Sequence, residues 1–315
     1  MTLQERIAKG EFVLLDGAMG TELERRGVPM DRKAWSAAAM DTHPEVVRDI
    51  HEDYIRAGAE IHIVNSFSTA RHVLEPAGFG DKVEEFNRRA VELCREAVAR
   101  AGGERPMWIA GSVSSFAEAA DRTKLPPPES LRANFDEQVA VLHRAGVDLF
   151  VLEMLCDVEI STQAIQAAAV TRLPLVIGFT CTLAEDGETV ETRGHEMGLQ
   201  GRVTLDTVLS NVIATIPDPK QTVLAIMHSD FPVTDRALDI LARQWTGPMA
   251  AYPNSGTFKV PNWQFDTVCS PEEFAKAAER WVARGVQIVG GCCGLGPDHI
   301  RAVRSRIRDQ APAGS

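Results

Sequence analysis

No apolar run in the chain approaches the ~18 residues of a membrane-spanning helix, and the opening residues MTLQERIAKGEF lack the apolar stretch of a secretory signal. Positive charge is in deficit: 33 Lys and Arg stand against 44 Asp and Glu, a net charge of −11. A nucleic-acid groove or an anionic membrane surface needs a basic stripe, so neither partner is expected. Cysteine is scarce, six in 315 residues, and four of the six stand alone. That is not the pattern of a secreted disulfide framework. A reduced, cytoplasmic protein is the expectation, with its oligomeric state left open. No low-complexity or linker-like segment divides the chain, and no glycine-rich dinucleotide fingerprint follows its first apolar run.

What is present is a repeat. Arg56-Ala-Gly-Ala-Glu leads into IHIVNSF, Arg144-Ala-Gly-Val-Asp into LFVLEML, and Arg284-Gly-Val-Gln into IVGGCC. Each time an amphipathic helical stretch closes on a glycine suited to a left-handed cap, and a short apolar run follows. Continuous apolar runs are the mark of parallel strands buried on both faces. Eight can be counted, at 12–17, 61–67, 107–113, 149–155, 173–180, 223–229, 248–254 and 288–293. Helical patterns lie between them, among them Pro44–Ala57, Lys82–Ala101, Leu131–Ala145 and Pro271–Arg284. The polar stretch 183–203 reads as the longest loop. Eight alternations predict one α/β domain over residues 1–315, a closed (β/α)8 TIM barrel.

In such a barrel the chemistry sits at the C-terminal strand ends. Those ends carry Asp16, Asn65, Ser112, Glu153, Cys181, His228, Asn254 and the pair Cys292–Cys293. Neighbouring cysteines rarely bond to each other, because a disulfide wants Cα atoms further apart than the ~3.8 Å between adjacent residues. Two thiols and an imidazole on one mouth are a possible tetrahedral metal set with an open fourth position. Gly290, Gly291 and Gly294 would let the backbone leave the strand for both thiols to reach one ion. The alternative is that Cys292 and Cys293 are small buried hydrophobes and His228 a satisfied core histidine. The remaining histidines, His51 and His62 among them, read as ordinary helix or loop residues.

The segments LLDGAMGTELERRG (14–27), AWSAAAM (34–40), DYIRAGAEIHIVNSF (53–67), YPNSG (252–256) and GGCCG (290–294) run in order over nearly the whole chain. In them the sequence strongly resembles the homocysteine S-methyltransferase family, which includes betaine– and S-methylmethionine–homocysteine methyltransferases. The resemblance implies one Zn²⁺ at the barrel mouth, held by the two cysteines of GGCCG and a third cysteine after the sixth strand. It also implies a small thiol acceptor, homocysteine, that receives a methyl group from a small sulfonium or quaternary-ammonium donor, giving methionine. Asp16, Gly17 and Met19 would line the acceptor site, Glu153 would pair with the acceptor ammonium, and Asn65 and Asn254 would support the acceptor or donor side. Phe12, Trp35, Phe67, Phe116 and Trp263 are candidate aromatic faces for the onium group, core packing being the alternative use of each. Neither a Rossmann-type site for S-adenosylmethionine nor room for folate and cobalamin modules is expected.

The chain departs from the family pattern at several points. Where the family reads Asn-Cys after its sixth strand, this chain has Met227-His228, which makes the implied ligand set His228, Cys292 and Cys293. Two thiolates and an imidazole leave bound Zn²⁺ formally neutral, whereas three thiolates would leave −1. GSVSSF (111–116) lacks the family's Gly-Pro, the segment around Cys181 is longer than usual, and Ser68 stands where betaine-using relatives carry an aromatic residue.

Overall fold

The structure is a computed structural model that describes residues 1–308 apart from 118–120, 199–200 and 260–261. Eleven strands occur among the described residues: β1 Val13–Leu14, β2 Ile61–Ile63, β3 Trp108–Ser114, β4 Leu149–Leu155, β5 Leu175–Leu183, β6 Val190–Thr192, β7 Thr222–Met227, β8 Met249–Tyr252, β9 Thr257–Lys259, β10 Asn262–Gln264 and β11 Val286–Val289. The helices are α1 Leu3–Ala8, α2 Met19–Arg25, α3 Ala39–Thr42, α4 Pro44–Ala57, α5 Arg71–Leu74, α6 Val83–Ala101, α7 Pro128–Ala145, α8 Val158–Ala169, α9 Leu205–Ile213, α10 Phe231–Gln244, α11 Pro271–Ala283 and α12 Pro297–Arg308.

Eight parallel strands pair in the order β1-β11-β8-β7-β5-β4-β3-β2. The ring closes through a bridge between Leu15 and Ile61, with Glu60 N–H donating to the Leu14 carbonyl and Asp16 N–H to that of Ile61. This is the barrel that the alternation predicts, and all eight expected strands are in it. Both faces of each strand are apolar, which explains the unbroken runs. Val13, Leu15, Ile61, Ala110, Val151, Val176, Ala225 and Ile288 fill the inside, while Leu14, Phe150, Leu152, Ile177, Leu224 and Val289 pack outward among helices.

The helix boundaries follow local chemistry. Pro44 and Pro128 occupy first-turn positions, where the missing N–H costs nothing, and α4 and α7 stop at Gly58 (φ 106°) and Gly146 (φ 88°) in the left-handed region. At α11, Ser270 and Glu273 form a reciprocal capping box. Two stretches differ from expectation. The loop expected at 183–203 contains β6, which pairs antiparallel with an extension of β5. The last barrel strand ends at Val289, so that Gly290 and Gly291 already belong to the departing loop.

Candidate metal and substrate site

At the C-terminal mouth, strand ends β7 and β11 bring His228, Cys292 and Cys293 together. The Nδ1 of His228 lies 3.4 Å from the Cys292 sulfur, and the two sulfurs are 3.9 Å apart. The three potential ligand atoms all fall within 4.8 Å of one another. The backbone is built for this convergence. Cys292 N–H donates to the Pro253 carbonyl at 2.7 Å, and the Cys293 carbonyl accepts from Ser255 N–H at 2.9 Å. Just past these anchors the chain turns sharply at Gly294, whose φ is 84° and where a Cβ would lie 1.9 Å from the Ser255 carbonyl oxygen. Only glycine fits there. Gly290 is equally confined, against Leu15 and the Asp16 carbonyl.

His228 itself has a left-handed backbone, φ 41°. Its N–H donates to the Tyr252 carbonyl, and its carbonyl accepts from Thr180 Oγ1 at 2.8 Å. The ring meets Trp263 edge-on, centroids 6.0 Å apart. Among the described residues only four non-glycine positions have positive φ, and three of them, Trp35, Met154 and His228, line this cavity. Such strain persists only where surrounding contacts hold it, and it gathers at functional sites. Cys293 beside it, and then burial, push the Cys292 thiol well above its ordinary pKa, while His228 acts in the opposite sense. A cation between these groups would reverse that balance.

The cavity above the thiols is lined on one side by Trp35, Phe67 and Phe116 and on another by Phe258 and Trp263. Phe67 stands 5.8 Å from Trp35 and 5.3 Å from Phe116, centroid to centroid, so the first three rings form one wall. Phe12 takes no part; its carbonyl accepts from Arg6, and its ring packs on the outer core. Asn65 explains how the wall is held. Its Oδ1 accepts from Ser36 Oγ at 2.9 Å and its Nδ2 donates to the Ser36 carbonyl at 3.1 Å, pinning the segment that carries Trp35.

Glu153, near the C-terminal end of β4, lines the cavity and is 5% exposed. Burial raises its carboxyl to about 7, although a hydrogen bond from Ser112 Oγ pulls the other way. Gly17 and Met19 line the same cavity. Asp16 and Asn254 do not. Asp16 is buried outside the cavity lining, with Oδ2 accepting from Ile63 N–H at 2.9 Å. Asn254 donates to Asp230 at 3.3 Å, in the turn just after His228. Ser112 is a partner of Glu153, and Cys181 is a buried residue within β5.

Sequence reasoning missed Tyr252. Its hydroxyl is buried without a hydrogen-bond partner, and both Glu153 and Cys292 act on it electrostatically. A Cβ at Gly178 would lie 2.4 Å from that oxygen, so the glycine clears its place. The signal was available, a tyrosine at a barrel strand end in the YPN segment, but it was absorbed into an apolar run.

A (β/α)8 barrel that gathers two thiols, an imidazole, a buried carboxylate and an aromatic wall at its mouth belongs to the class of barrels that handle thiols beside a metal-ligating set. The homocysteine S-methyltransferase family profile matches residues 13–307. The chain belongs to that family of methyltransferases. It is 31% identical to the homocysteine S-methyltransferase of Escherichia coli strain K12, the match covering 96% of this chain and 98% of that one. It is 27% identical to the selenocysteine Se-methyltransferase of Brassica oleracea var. italica, covering 95% and 89%. The crystal structure of the metallated homocysteine methyltransferase MmuM from Escherichia coli superposes with a TM-score of 0.77 at 28% identity, covering 96% of this chain and 99% of that one. Among the described residues no helix is long and apolar enough to cross a membrane.

Proposed function

We propose that this chain is a cytoplasmic, zinc-dependent enzyme that moves a methyl group from a small sulfonium or quaternary-ammonium donor to the thiol of homocysteine, giving methionine. The observation that carries the reading is the donor triangle of His228, Cys292 and Cys293. Tetrahedral Zn²⁺ with Zn–S near 2.3 Å and Zn–N near 2.0–2.1 Å requires sulfurs about 3.8 Å apart and sulfur to nitrogen about 3.6 Å. Here the sulfurs are 3.9 Å apart and His228 Nδ1 is 3.4 Å from the Cys292 sulfur, with the third edge, His228 to Cys293, within 4.8 Å. Three protein ligands leave a fourth position, the arrangement of catalytic sites. Bound there, Zn²⁺ would lower the pKa of an acceptor thiol that is otherwise mostly protonated at neutral pH.

The chain's own residues then do the rest. Ionised Glu153 pairs with the acceptor ammonium, and the Tyr252 hydroxyl, in the same cavity lining and without a partner of its own, donates to the same molecule. Backbone at Gly17 and Met19, both in the cavity lining, receives the acceptor carboxylate. Asp16 contributes from behind by fixing Ile63, Asn65 fixes Trp35, and Asn254 fixes the turn after His228. The wall of Trp35, Phe67 and Phe116 holds the onium group by cation–π attraction worth ~0.5–2 kcal/mol. In the transfer the acceptor sulfur forms a bond to the methyl carbon as the carbon–sulfur or carbon–nitrogen bond of the donor breaks. The onium atom of the donor leaves neutral, and the acceptor sulfur loses its negative charge. Charge is extinguished in this step, so an apolar, water-poor cavity favours it.

The test is purified protein, kept reduced, assayed for zinc and for methionine formed from homocysteine with S-methylmethionine or betaine. Zinc at the thiols and methylated product support the reading. A metal-replete protein that methylates homocysteine from neither donor would overturn it.

A further inference from the structure

A second convergence of ligand-type side chains lies beside the cavity, outside its lining. Asp16 follows β1, His62 is the middle residue of β2, and His51 is on α4. One carboxylate oxygen and one ring nitrogen from each histidine all lie within 4.8 Å of one another. All three residues are buried, at 2%, 0% and 0% exposure. Five of their polar atoms have no hydrogen-bond partner in the protein: Oδ1 of Asp16 and both ring nitrogens of each histidine. Buried polar groups are nearly always satisfied, and a cluster of orphans pointing at one another asks for an ion or a water to complete it. The three groups make no direct hydrogen bonds to each other, yet are close enough to converge on one centre.

We propose that Asp16, His51 and His62 form a second, structural metal site for a divalent first-row ion such as Zn²⁺, tying β1, β2 and α4 together at the seam of the barrel. Two imidazoles and a carboxylate are a borderline nitrogen/oxygen donor set that suits such ions. Burial holds both rings neutral, the ligating form, with His62 further disfavoured as a cation by His51 and Arg105. Burial pushes the Asp16 carboxyl well above its ordinary pKa, although the Ile63 N–H pulls the other way, and a bound cation would offset that cost of burying the carboxylate.

The location gives the ion a purpose. Only two residues of β1 are in regular pairing, and β1 meets β2 through one backbone bridge, Leu15 to Ile61, with Leu14 N–H donating to Glu60 and Ile63 N–H to Asp16. This is the thinnest joint in the ring, and Gly17, which lines the cavity, follows directly. With all three ligands buried, such an ion would enter during folding and resist exchange afterwards.

Metal analysis of untagged Cys292→Ser/Cys293→Ser protein separates this site from the mouth site. The proposal expects about one divalent ion per chain to persist in the folded double variant after dialysis against chelator, and to be released on unfolding. Loaded with Co²⁺, that variant should show ligand-field bands without a sulfur-to-metal charge-transfer band. His51→Gln/His62→Gln should lose one ion and keep the sulfur-ligated one. A folded cysteine double variant that retains no metal, even when refolded with Zn²⁺ or Co²⁺, would overturn the proposal and assign a buried water to the cluster. Failure of the mouth site would look different: wild type would hold one ion, insensitive to the cysteines and lost with the histidines.

Discussion

Replacing Glu153 by Gln removes a charge and leaves the shape, so it isolates what the carboxylate does. In the wild type its carboxyl titrates at about 7 against an ordinary 4.5. At 1.36 kcal/mol per pH unit that difference is worth about 3 kcal/mol. Between those values the native state binds more protons than the unfolded state, so this group's contribution to stability is full below pH 4.5 and is lost as pH rises to about 7. Glutamine has no such titration. The difference in unfolding free energy, variant minus wild type, should therefore grow by about 3 kcal/mol from pH 4.5 to 7.5, read by urea denaturation at several pH values. Binding should move the opposite way. A buried carboxylate that pairs with an ammonium ion contributes roughly 2–5 kcal/mol, so the variant should lose about 30-fold to several-thousand-fold in kcat/KM for homocysteine. In the wild type the KM for homocysteine should fall as pH rises through about 7 and Glu153 ionises; in the variant that component should vanish. A variant that keeps the wild-type KM and its pH profile would refute the pairing, whatever its stability.

The other consequences concern the metal set and the walls. His228→Ala should lower zinc retention at the mouth while leaving the circular dichroism spectrum intact; undiminished zinc there would remove His228 from the ligand set. His228→Cys should keep zinc, add one negative charge and speed attack by the acceptor sulfur, so a fall in turnover would show that the site is tuned to histidine. Truncating an aromatic ring, as in Phe67→Ala, should raise the donor KM by about 2- to 30-fold, the equivalent of ~0.5–2 kcal/mol, and leave the homocysteine KM within about twofold. Gly294→Ala forces a methyl group into the Ser255 carbonyl at φ 84°. It should destabilise the fold by more than ~1 kcal/mol and lower zinc occupancy, measured by thermal melting and metal analysis.

The barrel was legible because parallel strands covered on both sides leave unbroken apolar runs and because Gly58 and Gly146 mark helix ends by their left-handed backbone. α4 was readable to the residue, Pro44 to Ala57, for the same local reasons. The β9–β10 hairpin was not. Beyond their own antiparallel pairing, the two strands are anchored by Trp263 N–H donating to Glu24 on α2, a contact that no short-range pattern reports. The same limit hid His51 and His62, read from the sequence as ordinary. Their positions, 35 and 46 places beyond Asp16, acquire meaning only when the ring closes and α4 packs against the seam. The thiols and His228 were visible because His228 follows directly on β7 and Cys292 and Cys293 lie in the short loop leaving β11, and strand ends are where a barrel's topology gathers distant residues.

The most direct test is mass-spectrometric detection of methionine from homocysteine incubated with a donor carrying a trideuteromethyl group on its onium atom. It compares metal-replete wild type with Cys292→Ser/Cys293→Ser. The account predicts trideuterated methionine from the wild type and essentially none from a folded double variant. Labelled methionine formed at the same rate by both proteins would contradict a reaction that depends on the His228, Cys292 and Cys293 site.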